Sequence, residues 1–473
     1  MYGCFAYKAI QKNCNEHPFQ LPSALKHHPL CPLQQQTFPV CTIQQCHIGF
    51  FKSLGNGTFD VSFFLTLLLQ FSRVILNCAY KIDLKTKAGK FKQRHNEKAY
   101  IPNAFAIGPF HHGQENLKRT EKIKYKYLRG LISRAQNPKQ KMREFIREIT
   151  KMEEKVRLCY AGLVNYKREE FVKMLIVDGC FLIELFRRDG ILVPRDEDDP
   201  VFTMSCLLQF LYHDLILLEN QIPWIVLVCL FNLTRGENDR KPLVQLAIEF
   251  FANMFSSTPS PVDPNQLAES KHILDLLRNW LVAPIIQQKH RLETSEWQPF
   301  PSATEIKDSG IKFKKLEQAT SILDIRFRNG VLQIPNLLIQ ETTETIFRNL
   351  ISYEQCSPDC PPIVTCYAIV LDNLINTAKD VQILCKKEII DSWLNPEDAT
   401  QFFSKLYLDA YVKKFYYLGL CQQVNGYRKR RWPKWRAAYL HNYFGTPWAI
   451  ASQIFAAIIF TFTFLQTLFT IIK

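Results

Sequence analysis

From Trp448 to Ile472 the chain reads WAIASQIFAAIIFTFTFLQTLFTII, with no charged residue. A helix of that length reaches about 37 Å at ~1.5 Å per residue, more than the roughly 30 Å core of a bilayer. The alternative, a buried core helix, seldom runs so long without a charge. The segment therefore predicts a single-pass membrane helix, with Trp448, Phe455, Phe460, Phe464, Leu468 and Ile472 as anchor residues. Trp448 and Tyr443 suit the interface, where amphipathic rings settle. Just upstream lie Arg428, Lys429, Arg430, Arg431, Lys434 and Arg436, with no acid among them. Cations flank membrane helices on the cytoplasmic side. The expected topology is thus a tail anchor, with a cytosolic body and Lys473 on the far side, in the plasma membrane or the endoplasmic reticulum.

The span is not uniformly apolar. Thr463, Gln466, Thr467 and Thr470 recur along one face, and Ala456 and Ala457 add small residues. Polar and small residues on one stripe favour helix–helix contact in lipid. Self-association through the span, or a membrane partner, is expected from this pattern.

The remaining composition allows a large folded body. Of 473 residues, 47% are hydrophobic, enough for more than one core, and 22% are charged, which argues against wholesale disorder. The net charge of +15 is concentrated: residues 81–157 hold 21 Lys and Arg against 8 Asp and Glu. Such a surface can meet anionic lipid, nucleic acid or an acidic partner. The plainer reading of 118–157 is a solvated helix face, because Lys and Arg alternate there with apolar residues. The 15 cysteines are scattered and form no C-x-x-C pair. They read as buried, reduced thiols rather than a disulfide framework. Cys356, Cys360 and Cys366 lie closest together but have no His pair nearby, so no metal site is expected.

Four regions follow. Residues 1–77 mix Pro, Gln, His and Cys without period and read as an atypical, low-order extension. Within it Val61–Leu76 is apolar but interrupted by Gln70 and Arg73; a second span or an internal signal there would reverse the topology. Residues 78–436 form the body, 437–447 a juxtamembrane linker, and 448–472 the membrane helix.

The body reads as mainly helical. Glu170–Arg188 carries Phe171, Met174, Leu175, Leu182 and Leu185 on one stripe, and Gly190 stops it. Ser205–Leu218 and Trp224–Leu233 flank the joint Glu219-Asn220-Gln221-Ile222-Pro223, with Pro suited to a first helical turn. A helix is predicted over Gln266–Trp280. Ser302-Ala-Thr-Glu305 has the form of a capping box, with Gly310 ending the short helix. Asn329-Gly330 between two apolar runs predicts a type I′ hairpin, because both residues tolerate positive φ. Its register sets Phe327 opposite Leu332, Ile325 opposite Ile334 and Arg326 opposite Gln333. Further helices are predicted at Glu341–Tyr353, Val364–Ala378, Val381–Asp391 and Glu397–Lys414. The fold class is therefore α+β: a predominantly α-helical globular body with a small β-hairpin, plus one C-terminal transmembrane helix.

Candidate chemistry is sparse. Phosphate-loop, dinucleotide, zinc-protease and nucleophile-elbow patterns are all absent. His111 and His112, in the turn GPFHHG, could hold a metal or move a proton, yet adjacent imidazoles rarely ligate one ion. Asp178 falls on an apolar stripe with Glu184 nearby; such a carboxylate is a general acid or base, or more often the partner of a cation or backbone group. Asp214 and Glu219 sit at the helix joint, where Asn220 or Gln221 can satisfy orphan amides and carbonyls. Tyr125 and Tyr127 interleave with Lys122, Lys124, Lys126 and Arg129 as in a base-stacking surface. The same pattern fits an amphipathic helix, and nucleic acid is not the expected partner.

The segments IPNAFAIGPFHHGQENLKRTEKIKYKYL (101–128), MLIVDGCFLIELF (174–186) and DLILLENQIPWIVL (214–227) come in a telling order. SATEIKDSGIKFKK (302–315), LQIPNLLIQETTETIFRNLISYEQC (332–356), LINTAKDVQIL (374–384) and RRWPKWRAAYLHNYFGTPWAIASQIFAAI (430–458) follow them. Together they resemble the plant domain of unknown function 247 family from about residue 98 to 472. The resemblance implies a plant protein, mostly α-helical, with a C-terminal membrane span. It carries over no catalytic residues, and the family's link to grass self-incompatibility implies recognition roles. Residues 1–77 have no counterpart in that pattern. The expected function is a membrane-anchored interaction, recognition or signalling protein without catalysis, whose partners are the lipid bilayer and an unidentified protein. A membrane-bound enzyme of unrecognised type, built from His111, His112, Asp178, Asp214 and Glu219, is the alternative. No cofactor is expected. Asn56-Gly-Thr58 and Asn232-Leu-Thr234 are glycosylation sequons, used only where they face a lumen.

Overall fold

The computed structural model describes residues 97–429, apart from 161–163, 237–239, 253, 256–266, 288–297, 358–359, 393 and 408–409, together with the helix at 447–472. The expectations for the 1–77 extension, Val61–Leu76, Asn56, Arg430, Arg431, Lys434, Arg436, Tyr443 and Lys473 lie outside the described residues.

The first half of the body is organised around one helix. Chain order runs through α1 (Lys118–Ser133), α2 (Pro138–Arg157), α3 (Arg168–Asp189), a single turn α4 (Pro200–Thr203), α5 (Ser205–Leu215), α6 (Trp224–Thr234) and α7 (Leu243–Ala252). Helices α1, α2, α6 and α7 all pack against α3. From Phe171 to Arg188 every residue of α3 except Lys173 is buried. This corrects the single apolar stripe read from the sequence: neighbours on several sides bury residues all round this helix, Asp178, Glu184, Arg187 and Arg188 among them. Gly179 faces α6 closely: a Cβ there would lie 2.5 Å from Leu230 Cδ1, so that side chain would have to shift. The helix does stop at Asp189, but the left-handed residue is Ile191 (φ 58°) and not Gly190, whose φ is −72°.

The second half follows as α8 (Ile273–Gln287), α9 (Ala303–Asp308), β1 (Lys312–Lys315), β2 (Arg326–Arg328), β3 (Val331–Ile334), β4 (Leu337–Ile339) and α10 (Glu341–Cys356). It ends with α11 (Ile363–Leu374), α12 (Ala378–Cys385), β5 (Ile390–Ser392), α13 (Pro396–Leu406) and α14 (Leu418–Arg428). Here α10 is the hub and meets α5, α8, α11 and α13. The capping box at α9 is present: Ser302 Oγ accepts from the Glu305 amide and Glu305 bonds back. Gly310 turns the chain at φ 82°. The hairpin turn is as read, with Asn329 at φ 50°, Gly330 at φ 74°, Phe327 paired to Leu332 and Arg326 to Gln333, but the first strand is only Arg326–Arg328 and its ladder stops short of Ile325 and Ile334.

Several boundaries differ from the sequence reading, each for a local reason. Helix α5 stops at Leu215 rather than 218 because the side-chain amides of Asn220 and Gln221 take the carbonyls of Asp214, Leu215 and Leu217. Helix α8 begins at Ile273 rather than 266: Asp275 accepts the Lys271 amide and donates its own to His272 Nδ1. It then runs through Pro284 to Gln287. The helix expected over 364–378 breaks at Leu374, since Thr377 and Asp380 form a capping box that starts α12. The helix expected to reach Asp391 ends at Cys385, and Ile390–Ser392 pairs in parallel with β4 instead. The last expected body helix, 397–414, ends at Leu406. Strand β1 extends the hairpin to three strands by pairing in parallel with β3, in the order β1-β3-β2.

Helix α15 (Pro447–Ile472) holds 26 residues, about 39 Å at ~1.5 Å per residue. It is the one described helix long and apolar enough to cross a membrane, and its apolar stretch from Ala451 to Ile472 is buried nowhere in the body.

Candidate functional site

The candidate acids converge on one short stretch of backbone, residues 103–108 (NAFAIG). It forms no regular ladder, yet Ala104 through Gly108 are buried. Buried peptide groups need partners, and here side chains supply them. Asp214, at the end of α5, accepts three successive amides: Asn103 at 2.7 Å, Ala104 at 2.8 Å and Phe105 at 2.7 Å. Asn220 Oδ1 accepts the Ile107 amide at 2.7 Å, and its Nδ2 donates to the Phe105 carbonyl at 2.9 Å. Asp178, in the middle of α3, accepts the Gly108 amide at 2.8 Å. From α1, Thr120 donates to the Ala104 carbonyl and Lys124 to the Ala106 carbonyl. Four separate elements thus clamp one buried segment, each through a residue of matching hydrogen-bond type.

Lys124 joins the clamp to the acids. Its ammonium lies 2.6 Å from Asp178 Oδ1 and 2.6 Å from Glu121 Oε1. Burial pulls the Lys124 pKa down, but the two carboxylates outweigh it and hold the group above the ordinary lysine value. Reading 118–157 as a solvated helix face therefore missed that Lys124 and Tyr127 are core residues, both 0% exposed. The outward face of α1 still presents Arg119, Lys122 and Arg129.

The other candidates lie in the turn after the clamped segment and at the α5–α6 joint. His111 is buried in the turn after the clamped segment, with Nδ1 3.1 Å from the Gln114 side-chain Nε2. His112 stacks edge-on against Tyr166, centroids 5.8 Å apart. The Tyr166 hydroxyl donates to the carbonyls of Pro109 and His112, tying that turn to the base of α3. Glu219 is half-buried at the α5–α6 joint. Among the described residues no three His, Cys, Asp or Glu side chains gather to hold a metal ion.

A second polar cluster escaped the sequence reading. Arg188 of α3 lies 2.8 Å from Asp199, 3.1 Å from Asp196 and 3.4 Å from Glu184, with its guanidinium 4.5 Å from the Tyr127 ring centre. The Tyr127 hydroxyl donates to Asp199, and burial pushes its pKa far above the usual phenol value. Arg134 forks onto Glu184 at 2.8 and 2.5 Å. Beside this network a cavity of about 460 Å³ is lined by Arg134, Lys141, Arg187 and Arg235 among apolar residues. Three of its cations are engaged: Lys141 donates to the Leu233 carbonyl, Arg187 to the Thr234 carbonyl and Arg134 to the Gly130 carbonyl. Cations bonded to the last carbonyls of helices stabilise those ends, and that role accounts for these three side chains.

This geometry defines a class: a mainly helical body, braced by a buried polar clamp, with one candidate membrane helix. The chain belongs to the domain of unknown function 247 family, whose model, described as a plant protein of unknown function, matches residues 87–462. It is 26% identical over 402 residues to the Arabidopsis thaliana UPF0481 protein At3g47200, covering 80% of this chain and 84% of that one. It is also 20% identical over 468 residues to the putative UPF0481 protein At3g02645 of the same plant, covering 78% and 86%. No solved structure matches the chain.

Proposed function

We propose that the protein is a single-pass, membrane-anchored recognition or signalling component whose body acts by contact rather than by catalysis. The observation that carries this reading is α15, an uncharged helix of 26 residues whose apolar stretch from Ala451 to Ile472 is buried nowhere in the body. Exposed apolar surface on that scale needs a non-aqueous surrounding. The chemistry of the body supports the second half of the reading. Asp214 and Asp178, two of the candidate acids, are engaged by backbone amides, by the His213 ring and by Lys124. A carboxylate so engaged holds a fold together.

The body is assigned to the cytosol, because Arg428–Arg436 immediately precede the span without an acid. The test is protease protection on sealed microsomes, paired with a glycosidase shift. A cytosolic body is digested without detergent and shows no glycan at Asn232, an exposed residue on the last turn of α6. A protected body, or a shift abolished by Asn232→Gln, overturns the orientation and places recognition in the lumen or outside the cell.

A further inference from the structure

The polar side chains of α15 are not equivalent. Its four threonines each donate to the carbonyl one turn back: Thr461 to Ala457 at 2.8 Å, Thr463 to Ile459 at 2.9 Å, Thr467 to Thr463 at 2.8 Å and Thr470 to Gln466 at 2.7 Å. Their protons are satisfied inside the helix. The side-chain amide of Gln466 has two donors and one acceptor, and no group among the described residues bonds it. The polar face expected from Thr463, Gln466, Thr467 and Thr470 thus reduces to one side chain that still needs a partner.

Its depth sharpens the point. On a span centred near Phe460, Gln466 lies about 9 Å toward the C-terminus, within a core reaching roughly 15 Å either side. Helical side chains lean toward the helix N-terminus. Gln466 therefore leans back toward the middle of the bilayer, away from its nearer interface. Gln453, on the opposite side of Phe460, leans out toward its own interface and can reach water.

We infer that α15 pairs with a second copy of itself, with Gln466 of one chain bonded to Gln466 of the other. This rests on reading α15 as a membrane span. A primary amide is self-complementary, so a two-fold axis at this position satisfies both copies at once. The surrounding seam fits that axis. Ser452, Ala456, Ile459, Thr463, Gln466 and Thr470 recur at alternating steps of four and three, which is the 3.5-residue period of a left-handed helix pair. At about 100° per residue these six fall within roughly 80° of one another. Phe455, Phe460, Phe462, Phe464 and Phe469 all fall outside that stripe, so the helices can approach closely along it. A lipid chain offers no hydrogen bond to Gln466; a second copy does.

The experiment uses the full chain in lipid vesicles, with donor- and acceptor-labelled copies read by energy transfer, and alkaline carbonate extraction of the same vesicles. The expected result is transfer for the wild type, carbonate-resistant insertion for every variant, and association weakened roughly three- to thirty-fold by Gln466→Leu. Gln453→Leu leaves association unchanged. Wild-type chains that show no transfer, or Gln466→Leu chains that associate as tightly as wild type, overturn the pairing while insertion stands. Release of the wild type by carbonate overturns the span itself, and the pairing with it.

Discussion

Lys124 and Asp178 meet at 2.6 Å with neither side chain in water, at 0% and 1% exposure. A pair so enclosed is destabilising when half of it is removed, because an uncompensated charge stays behind. Lys124→Met is therefore expected to lower the unfolding free energy by roughly 3–5 kcal/mol. The double variant Lys124→Met with Asp178→Asn should fall short of the sum of the single costs, by about 0.5–3 kcal/mol of coupling. Urea unfolding of the four proteins in mild detergent measures this; strict additivity would mean that the two groups do not interact.

Asp214 should behave differently, because its partners are three backbone amides and the His213 ring, 2.8 Å from Oδ1, and not a lysine. Asp214→Asn keeps the shape but turns one acceptor oxygen into a donor facing the Asn103–Phe105 amides. Each amide left unpaired in the interior costs roughly 1–3 kcal/mol. Hydrogen exchange should show amides 103–105 losing protection well before the rest of the body. Unchanged protection there would mean that Asp214 does not hold this segment.

Two glycines of one segment separate conformational strain from close contact. Gly108 and Gly113 both have positive φ, 74° and 83°. A Cβ on Gly108 would sit 2.4 Å from the Gln221 carbonyl oxygen, whereas one on Gly113 meets nothing within 4 Å. Gly113→Ala should cost on the order of 1 kcal/mol from the left-handed backbone alone. Gly108→Ala should cost several times more, since backbone must move. Equal effects on thermal unfolding would contradict the close approach of 103–108 to the α5–α6 joint.

His272 introduces a pH dependence. Burial drives its imidazole down to about 4, beside Asp275, Lys271 and the Tyr353 ring. The unfolded chain binds that proton near pH 6.5. Between about pH 6.5 and 4 the unfolded state thus holds more protons than the folded one, so stability falls as pH is lowered through this window. His272→Gln should flatten that part of the profile while leaving the neutral-pH value little changed. An identical slope in the variant would assign the acid sensitivity to other groups.

The legible parts of this fold are those that the chain decides locally. Asn329-Gly330 sets its own turn, and Ser302 and Glu305 cap their own helix, so both could be read from adjacent letters. The length and neutrality of 448–472 likewise need no tertiary context. What could not be read depends on distant partners. Lys124 looks like one cation in an alternating run until Asp178, 54 residues away, is seen beside it. Strands β1 and β5 carry too few apolar residues to announce themselves, and exist because β3 and β4 offer edges. The break between α11 and α12 was hidden because apolar residues continue across it while Thr377 and Asp380 begin a new helix. Asp178 stands out on an apolar stripe and Asp214 at a helix joint, but the segment they hold lies 70 or more residues earlier in the chain.

The central claim is that α15 holds the chain in a bilayer, and alkaline carbonate extraction of plant-cell membranes tests it most directly. The wild type should remain in the pellet, and a chain lacking 448–472 should move to the supernatant while its body keeps the same thermal transition. A truncated chain that stays in the pellet, or a wild type released by carbonate, would contradict the claim.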